Sequence, residues 1–404
     1  MSTSLLYHGW GIVGYEYQRT LYAEGMVIFR IAQDPSTLKC PCCESRRVIR
    51  RGASHRRFLA LPIGRKKTLI EFPVQRIECK ACGLVRQVKV GFADEMSRYT
   101  RSFERYVLEL SSHTTISDAA SHLGVSWDVV KDIQKRYLQR RFSRPKLAHL
   151  KRIAIDEIYV GKRRKYLTIV LDLDTGAVVF VGEGKGANAL EPFWKRLRAS
   201  RAKVEAVAID MSQAYIRAVT THLPTAILVF DHFHVIKLFN EQLTQLRRDL
   251  YREATDLLEK EVLKGTRWLL LKNPENLDAN RNERTRLEEA LRINQPLACA
   301  YYLKEDLRQI WNQPNKATAN AVLEDWIGRA DASGIRLLQK FSKTLATHRE
   351  GILAYYDYPI STGPLEATNN KIKTMQRQAY GFRDQIFFTL KIYALHLSTY
   401  ALVG

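Results

Sequence analysis

Asp156, Asp210 and Glu366 are the residues of this chain whose placing suits metal chemistry. The first two end the apolar, β-branched runs RIAIDEIYV and VEAVAIDMS. The third falls in the first turn of a helix opened by GPLEATNNKIK. Magnesium takes hard oxygen ligands and keeps several waters, so two ions need only a few carboxylates and a scissile phosphate. One ion can activate the attacking water or 3′-hydroxyl while the other stabilises the leaving oxygen. The chemistry expected is phosphoryl transfer on a nucleic acid, with two Mg2+ (or Mn2+) ions held by Asp156, Asp210 and Glu366. A single strand-end aspartate is more often a turn or helix cap, but two of them in the right strands argue against that.

Four cysteines carry a second chemistry. Cys40-Pro-Cys-Cys43 and Cys79-Lys-Ala-Cys82 are two C-x2-C knuckles separated by 35 residues. Two knuckles supply four thiolates in a tetrahedron, the donor set of structural Zn2+. FPVQRIECKACG sets the second knuckle directly after a strand, as in zinc ribbons. Cys42 stands in the same knuckle as Cys43 and is an alternative ligand to it. Cys299 stands alone and reads as core. With so few cysteines over 404 residues, metal fits better than a disulfide framework.

Positioning these groups takes several elements. Strand-like runs fall at 152–160, 165–173, 177–183, 204–210 and 225–231, with helical patterns at 187–199 and 212–221. Three consecutive strands, then helix, strand, helix, strand make the first two thirds of an RNase H-like fold. The first and fourth strands would be neighbours at its centre, so Asp156 and Asp210 would be too. After His232 the β signal vanishes and amphipathic helical patterns follow. The expected fold is multidomain α/β. An RNase H-like core, a mixed five-stranded sheet with helices, is interrupted by an all-α insertion and preceded by a zinc-ribbon-like module and a helix-turn-helix. The boundaries read as 1–35 extended lead-in, 36–100 zinc-binding basic module and 101–145 helix-turn-helix. The core's first part follows at 151–235, the insertion at 236–360 and the core's C-terminal helices at 361–404.

TTISDAASHLGVSWDVVKDIQKRYLQRR is the helix-turn-helix. Ser117 is expected to cap its first helix, Gly124 to make the turn and Ser126 to cap the second. Val129, Val130, Ile133 and Tyr137 form an apolar stripe on that second helix, leaving Lys131, Gln134, Lys135 and Gln139 to reach a major groove. The charge agrees, since 64 Lys+Arg stand against 42 Asp+Glu, a net +22. Sixteen Lys/Arg and five Asp/Glu lie between Ser36 and Arg101, so that stretch alone carries +11. Such clustering favours a polyanion, nucleic acid before membrane. No run approaches a membrane span, and the N-terminus lacks the basic start and cleavage site of a signal peptide, so a cytosolic protein is expected.

The blocks IAIDEIYVGKRRKYLTIVLDLDTG, VEAVAIDMSQAY, FDHFHVIKLFNEQL and STGPLEATNNKIKTMQRQAYGFRD resemble those of the ISL3 family of bacterial insertion-sequence transposases. Cysteine knuckles and a helix-turn-helix occur in the same order in that family. The resemblance implies a DDE transposase with Asp156, Asp210 and Glu366 as its metal-binding triad. It also implies a nucleoid-associated cytoplasmic location and, as partners, double-stranded DNA at terminal inverted repeats and target, bound as a homodimer or higher oligomer. Asp231 and His234 in DHFH resemble the (C/D)xxH signature of such transposases with an all-α insertion. The imidazole can bond a phosphate oxygen or orient the attacking group, whereas a plain helix-capping pair is the alternative. Asn369, Asn370 and Lys373 share a helix face with Glu366. Asn370, Lys373 and Arg377 are the expected contacts to the DNA backbone, with Lys371 and Arg383 as further basic residues of that segment. Trp268 and Trp311 can each stack on an exposed base or simply be core.

Asp174-Thr175-Gly176 spells the aspartic-protease triplet, but LDLDTGAVV reads as turn chemistry between strands. Two other functions compete with the transposase: a catalytically inactive DNA-binding regulator and a structure-selective RNase H-like nuclease. The intact carboxylate set argues against the regulator. The two N-terminal modules and the long insertion argue against the nuclease.

Overall fold

The computed structural model describes residues 4–161 and 165–397, in two compact units. The first is built from Met1–Ser143 and Thr374–Lys391, the second from Arg144–Lys373 and Ile392–Leu397. Residues 1–3 of the expected lead-in, 162–164 of the first resembling block and 398–404 of the expected last helix lie outside the described residues.

In the first unit a short helix, α1 (Leu5–Trp10), leads into five strands. These are β1 (Tyr15–Ala23), β2 (Met26–Gln33), β3 (Val48–Ile63), β4 (Lys66–Cys79) and β5 (Val85–Gln87). They form one sheet in the order β1-β2-β4-β3, with β5 on β4. The lead-in is thus integral to the sheet: Val27–Arg30 of β2 pair in parallel with Thr68–Glu71 of β4. The reason is apolar. Val27, Phe29 and Ile31 are buried in the same core as Phe58, Ile70 and Phe72, and leaving them in water would cost roughly 1.5–3 kcal/mol each.

Three helices follow, α2 (Arg101–Leu110), α3 (Ile116–Leu123) and α4 (Trp127–Phe142). The cap of α3 is Thr115 and not Ser117: Thr115 is extended and its hydroxyl accepts the Asp118 N–H at 3.0 Å, while Ser117 is already helical. Gly124 turns the chain at φ +61°, a left-handed conformation that glycine adopts without a Cβ penalty. Ser126 does precede α4 in extended conformation, without a side-chain cap bond. The buried stripe of α4 is Val130, Ile133, Gln134 and Leu138.

The second unit opens with β6 (Arg152–Gly161), β7 (Lys165–Asp172) and β8 (Val178–Glu183). It continues with α5 (Glu191–Ser200), β9 (Ala206–Ile209), α6 (Gln213–His222) and β10 (Ile227–Phe230). The sheet order is β10-β9-β6-β7-β8, antiparallel through β6, β7 and β8 and parallel through β6, β9 and β10. This is the RNase H-like mixed sheet. At the β7–β8 turn the buried Asp172 accepts from the Thr175 hydroxyl and the Asp174 N–H, so the DTG triplet is turn chemistry.

The long α7 (His232–Glu253) begins the helical insertion. It continues through α8 (Leu257–Gly265), α9 (Glu283–Ile293), α10 (Gln295–Gln309), α11 (Lys316–Ala332), α12 (Arg336–Thr347) and α13 (Arg349–Leu353). Val235, Phe239, Leu243 and Leu246 recur on one face of α7, and Phe239 meets Trp326 and Phe341 edge-on at 5.7 and 5.0 Å. Trp326 is fully buried because its indole N–H is satisfied by Leu303 O at 2.7 Å. Gly351 lets α13 lie directly on β10: a Cβ there would stand 2.3 Å from the Phe230 ring. The chain then returns as α14 (Gly363–Gln378) and α15 (Gln385–Ala394).

Candidate active site and metal centre

Sheet register brings the aspartates into one row. The last register pair between β6 and β9 is Ala154 with Ala208, and Asp156 and Asp210 each stand two residues beyond it. Phe230 pairs with Ile209, and the Asp231 N–H donates to Ile209 O at 3.1 Å, so Asp231 extends the row onto β10. Parallel neighbours lie about 4.8 Å apart and point equivalent side chains to the same face. Asp210 and Asp231 thus stand just past β9 and β10, whereas Asp156 does not end its strand: β6 runs on to Gly161 and Asp156 pairs with Ile169 of β7. Of the three aspartates in the row two are half-buried and one, Asp231, is buried at 2% exposure.

Each carboxylate is held differently. Asp156 accepts the Glu157 N–H on one oxygen at 2.7 Å and the Asn369 side-chain amide on the other at 3.0 Å. Asp210 accepts the Ser212 N–H at 3.0 Å and lines a cleft of about 280 Å3 with Met211, Ser212, His234, Lys237, Leu238 and Glu241. Asp231 accepts from the Thr362 hydroxyl at 2.7 Å and pairs with His234 Nδ1 at 2.9 Å. Thr362 immediately precedes α14, and its carbonyl takes the Glu366 N–H at 2.8 Å. Asp231 therefore ties the start of the Glu366 helix to the end of β10, across 131 residues of chain. Asn369, one turn beyond Glu366 on the same helix face, ties that face to Asp156.

The electrostatics follow from this crowding. Burial raises the Asp156 carboxyl above its ordinary range. The Glu157 N–H and the nearby His234 draw it down, while Asp210 and Glu157 push it further up. His234 is raised, first by its bond to Asp231 and against the effect of burial, then by the fields of Asp231, Asp156 and Asp210. Burial opposes ionisation of Asp231, yet His234 and Thr362 outweigh it and hold that carboxyl low.

Glu366 is exposed in the first turn of α14, and Asn370, Lys371 and Arg377 are exposed further along it, with Lys373 half-buried. The oxygens of Asp156, Asp210 and Glu366 do not crowd into a cluster. Among the described residues the four cysteines are the only group of three or more His, Cys, Asp or Glu whose ligand atoms all lie within 4.8 Å. The site still fits a hard cation on its donor chemistry. It offers carboxylate oxygens, and the buried Asn369 Oδ1 has no hydrogen-bond partner.

The sulfur site is compact. Cys40 and Cys82 lie 3.6 Å apart, Cys43 and Cys79 3.5 Å, and Cys43 and Cys82 3.6 Å, close to the ~3.8 Å edge of a tetrahedron with zinc–sulfur bonds of about 2.3 Å. The Cys42 N–H donates to Cys40 Sγ and the Ala81 N–H to Cys79 Sγ, both at 3.4 Å, the amide support a thiolate needs. Backbone donors, the Cys82 N–H first, draw the Cys79 thiol down to about 6. Cys42 and Cys43 are both exposed, but only Cys43 has its sulfur in the group; Cys299 is half-buried elsewhere.

Of the groove-facing set on α4, Gln134 is buried at 6% exposure, because it stands four residues from both Val130 and Leu138 and so falls inside the packed stripe. Lys131 and Lys135 both pair with Asp384, at 3.2 and 2.7 Å. That aspartate caps α15 through the Phe387 N–H. Burial opposes its ionisation, but Lys135, the Phe387 N–H and Lys131 hold it down to about 2. In the insertion, Trp268 is 64% exposed with Arg267 over its ring at 4.6 Å, whereas Trp311 packs against the core with its indole nitrogen buried and unpaired. Sequence reasoning did not anticipate Thr362 or Asp384. The one available signal for Thr362 was a hydroxyl just ahead of the Gly-Pro helix start.

Family models and relatives match most of this chain. The ISL3 family model described as "Transposase" matches residues 153–392, that family's helix-turn-helix domain matches 88–138, and the zinc finger of the IS204/IS1001/IS1096/IS1165 transposases matches 36–82. The chain belongs to the ISL3 family of transposases. The transposase for insertion sequence element IS1001 of Bordetella parapertussis is 33% identical over 84% of this chain and 84% of its own length. The transposase for IS1557 of Mycobacterium tuberculosis is 29% identical over 83% of this chain and 80% of its own. A chain of the Drosophila P element transposase strand transfer complex has a TM-score of 0.40 at 12% identity, covering 75% of this chain and 92% of that one. As an ISL3 transposase the chain is a polynucleotidyl transferase-type enzyme with a DNA-binding domain and a zinc ribbon. No helix of the described residues is long and apolar enough to cross a membrane.

Proposed function

We propose that this transposase binds the terminal inverted repeats of an insertion sequence and performs metal-dependent strand cleavage and strand transfer at their ends. The observation that carries this reading is the common register of Asp156, within β6, and Asp210, just past β9, with the Glu366 helix tied to the same row. Asp156, Asp210 and Glu366 would hold two Mg2+ or Mn2+ ions, which when bound supply Lewis-acid activation of the attacking oxygen and charge relief at the leaving one. Asp231 orients the imidazole through Nδ1, so Nε2 of His234 is the atom available to donate to a phosphate oxygen. Asn370, Lys373 and Arg377 position the DNA backbone beside the site.

The test is cleavage of labelled duplexes carrying the element's ends, with and without divalent metal. Cleavage confined to those ends and lost on chelation is expected; end binding with no cleavage under any divalent metal would leave the regulator reading in its place.

Thr362→Val removes one hydrogen bond to a buried carboxylate, an interaction worth about 1.5–3 kcal/mol. The cleavage rate should fall by roughly 10- to 100-fold, as for other residues that orient metal ligands. End binding should stay within twofold. An unchanged rate in single-turnover assays would remove Thr362 from the positioning of α14.

Asp384→Asn should release Lys131 and Lys135, raise affinity for shuffled duplex several-fold and steepen its salt dependence. A fall in that affinity would instead make Asp384 a residue that orients the lysines. The folded pKa of Asp384, about 2, lies below the ~3.9 of an unfolded aspartate. The stability from this contact is therefore full above pH ~4 and lost as pH falls through about 2.

A further inference from the structure

The sheet of the first unit carries a charged groove that neither the zinc site nor the reading helix uses. Glu71 on the central strand β4 stands in register with Arg30 on β2 and with Arg57 on β3, so the three side chains form one row across three neighbouring strands. Glu71 is buried at 7% exposure and accepts the Nε–H of each arginine at 2.6 Å. Burial works against its charge, and the two guanidinium groups overcome that and keep the carboxyl below its ordinary range. Because both arginines spend only Nε on Glu71, their four terminal amino groups meet no protein acceptor among the described residues.

Around this row lies a groove of about 900 Å3. His55, Arg56, Gln87, Met96 and Arg98 complete its lining. Arg56 is braced by a bond from Nη2 to Ser97 O at 2.8 Å and lies 4.7 Å over the Phe58 ring. Four arginines against one glutamate leave the groove with a charge of +3. Two braced guanidinium forks on a rigid sheet are pre-organised for phosphate oxygens, and so large an open groove suits a polymer better than a small anion.

The groove is also joined to the helix-turn-helix. Leu59 of β3 donates to Arg98 O at 2.9 Å and accepts the Thr100 N–H at 2.9 Å, and Thr100 caps α2. Ser97 donates to Glu104 of α2 at 3.0 Å, and Glu104 in turn accepts from Arg136 of α4 at 2.8 Å. Two side-chain bonds therefore connect the groove wall to the second helix of the DNA-reading motif, within one compact unit.

We propose that Arg30 and Arg57, braced on Glu71, together with Arg56 and Arg98, clamp the sugar–phosphate backbone of double-stranded DNA without reading its bases. The clamp rests on the reading of this unit as DNA-binding. It adds a second, sequence-independent contact on the duplex held by the helix-turn-helix.

The test uses the full zinc-loaded chain and fluorescence anisotropy over a salt series. One duplex carries the terminal repeat and the other is its shuffled counterpart. Arg98→Gln removes a side chain outside the Glu71 row, so the row stays intact, and Arg57→Gln removes one fork of it. Each lost phosphate contact lowers the slope of log affinity against log salt by about 0.9 on duplex DNA. Arg98→Gln should thus lower it by about one, the double variant by about two, and both duplexes should weaken by the same factor. An unchanged slope in Arg98→Gln and in the double variant overturns the clamp, as does weakening confined to the terminal repeat, which would mean base reading. If wild-type protein binds neither duplex, the DNA-binding reading itself fails. If it binds and prefers the terminal repeat while both variants match it, the clamp alone is wrong.

Discussion

Asp156→Asn and Asp210→Asn are each expected to reduce strand cleavage at the element's ends by at least ~10^3, since loss of even one pre-organised electrostatic donor typically costs about 10^2–10^3. Asn keeps the shape of the side chain but not its charge, and two adjacent strands hold the pair in place, so the fold should not change. The substitutions should in fact ease crowding, because Asp210 and Glu157 both push the Asp156 carboxyl up. Melting temperature is therefore expected to stay the same or rise slightly while catalysis disappears. Binding to terminal-repeat duplex should persist, as the helix-turn-helix lies in the other unit. Glu366→Gln, on an exposed helix turn, should behave alike. Cleavage within tenfold of wild type in Asp156→Asn at saturating metal would remove that carboxylate from the chemistry.

Loss of the zinc ligands should have the second large effect. Cys79→Ser replaces a buried sulfur at the end of β4, next to the amide-supported turn of the second knuckle. Structural zinc contributes roughly 10–16 kcal/mol in isolated fingers, comparable to or above the whole stability of many domains. Here the sheet keeps its own aromatic core of Phe58, Phe72 and Phe92, with ring centroids 5.3–5.8 Å apart. Damage should therefore concentrate in the knuckles and the strand ends that carry them. One zinc per chain is expected in the wild type and none in Cys79→Ser. Amide protection should be lost at both knuckles, and terminal-repeat affinity should fall at least tenfold by this reasoning. Cys42→Ser should change neither zinc content nor protection. A Cys79→Ser protein that retains its metal would contradict the four-cysteine assignment.

Much of the fold could be read from local pattern. Strands at 152–160 and 165–173 alternate or run apolar because their faces are buried, and their bounds fall within a residue of β6 and β7. Strands expected at 204–210 and 225–231 are shorter, Ala206–Ile209 and Ile227–Phe230, so Asp210 and Asp231 stand just past the pairing, free of the ladder. On α4 the difference between pattern and structure is rotational. A stripe through Tyr137 leaves Gln134 outside, whereas in the structure Leu138 packs and carries Gln134 in with it. Ser117 is as good a capping type as Thr115, and only the backbone conformation separates the two.

By itself the sequence determined the element order of the second unit's sheet, the metal-suited residue types, the two knuckles and the basic N-terminal stretch, since each is written in composition or in a local period of a few residues. Tertiary structure alone decided which of these meet. That Asp156 and Asp210 share a register is a property of strand pairing, and that Thr362 reaches Asp231, 131 positions away, is a property of how the inserted helices close back on the sheet. The Arg30–Glu71–Arg57 row is of the same kind: three residues spread over 41 positions become neighbours only when β2, β4 and β3 pair. Local propensity acts over a few residues, whereas register and loop closure are set by burial across the whole unit, and the candidate sites of this protein are made by the second.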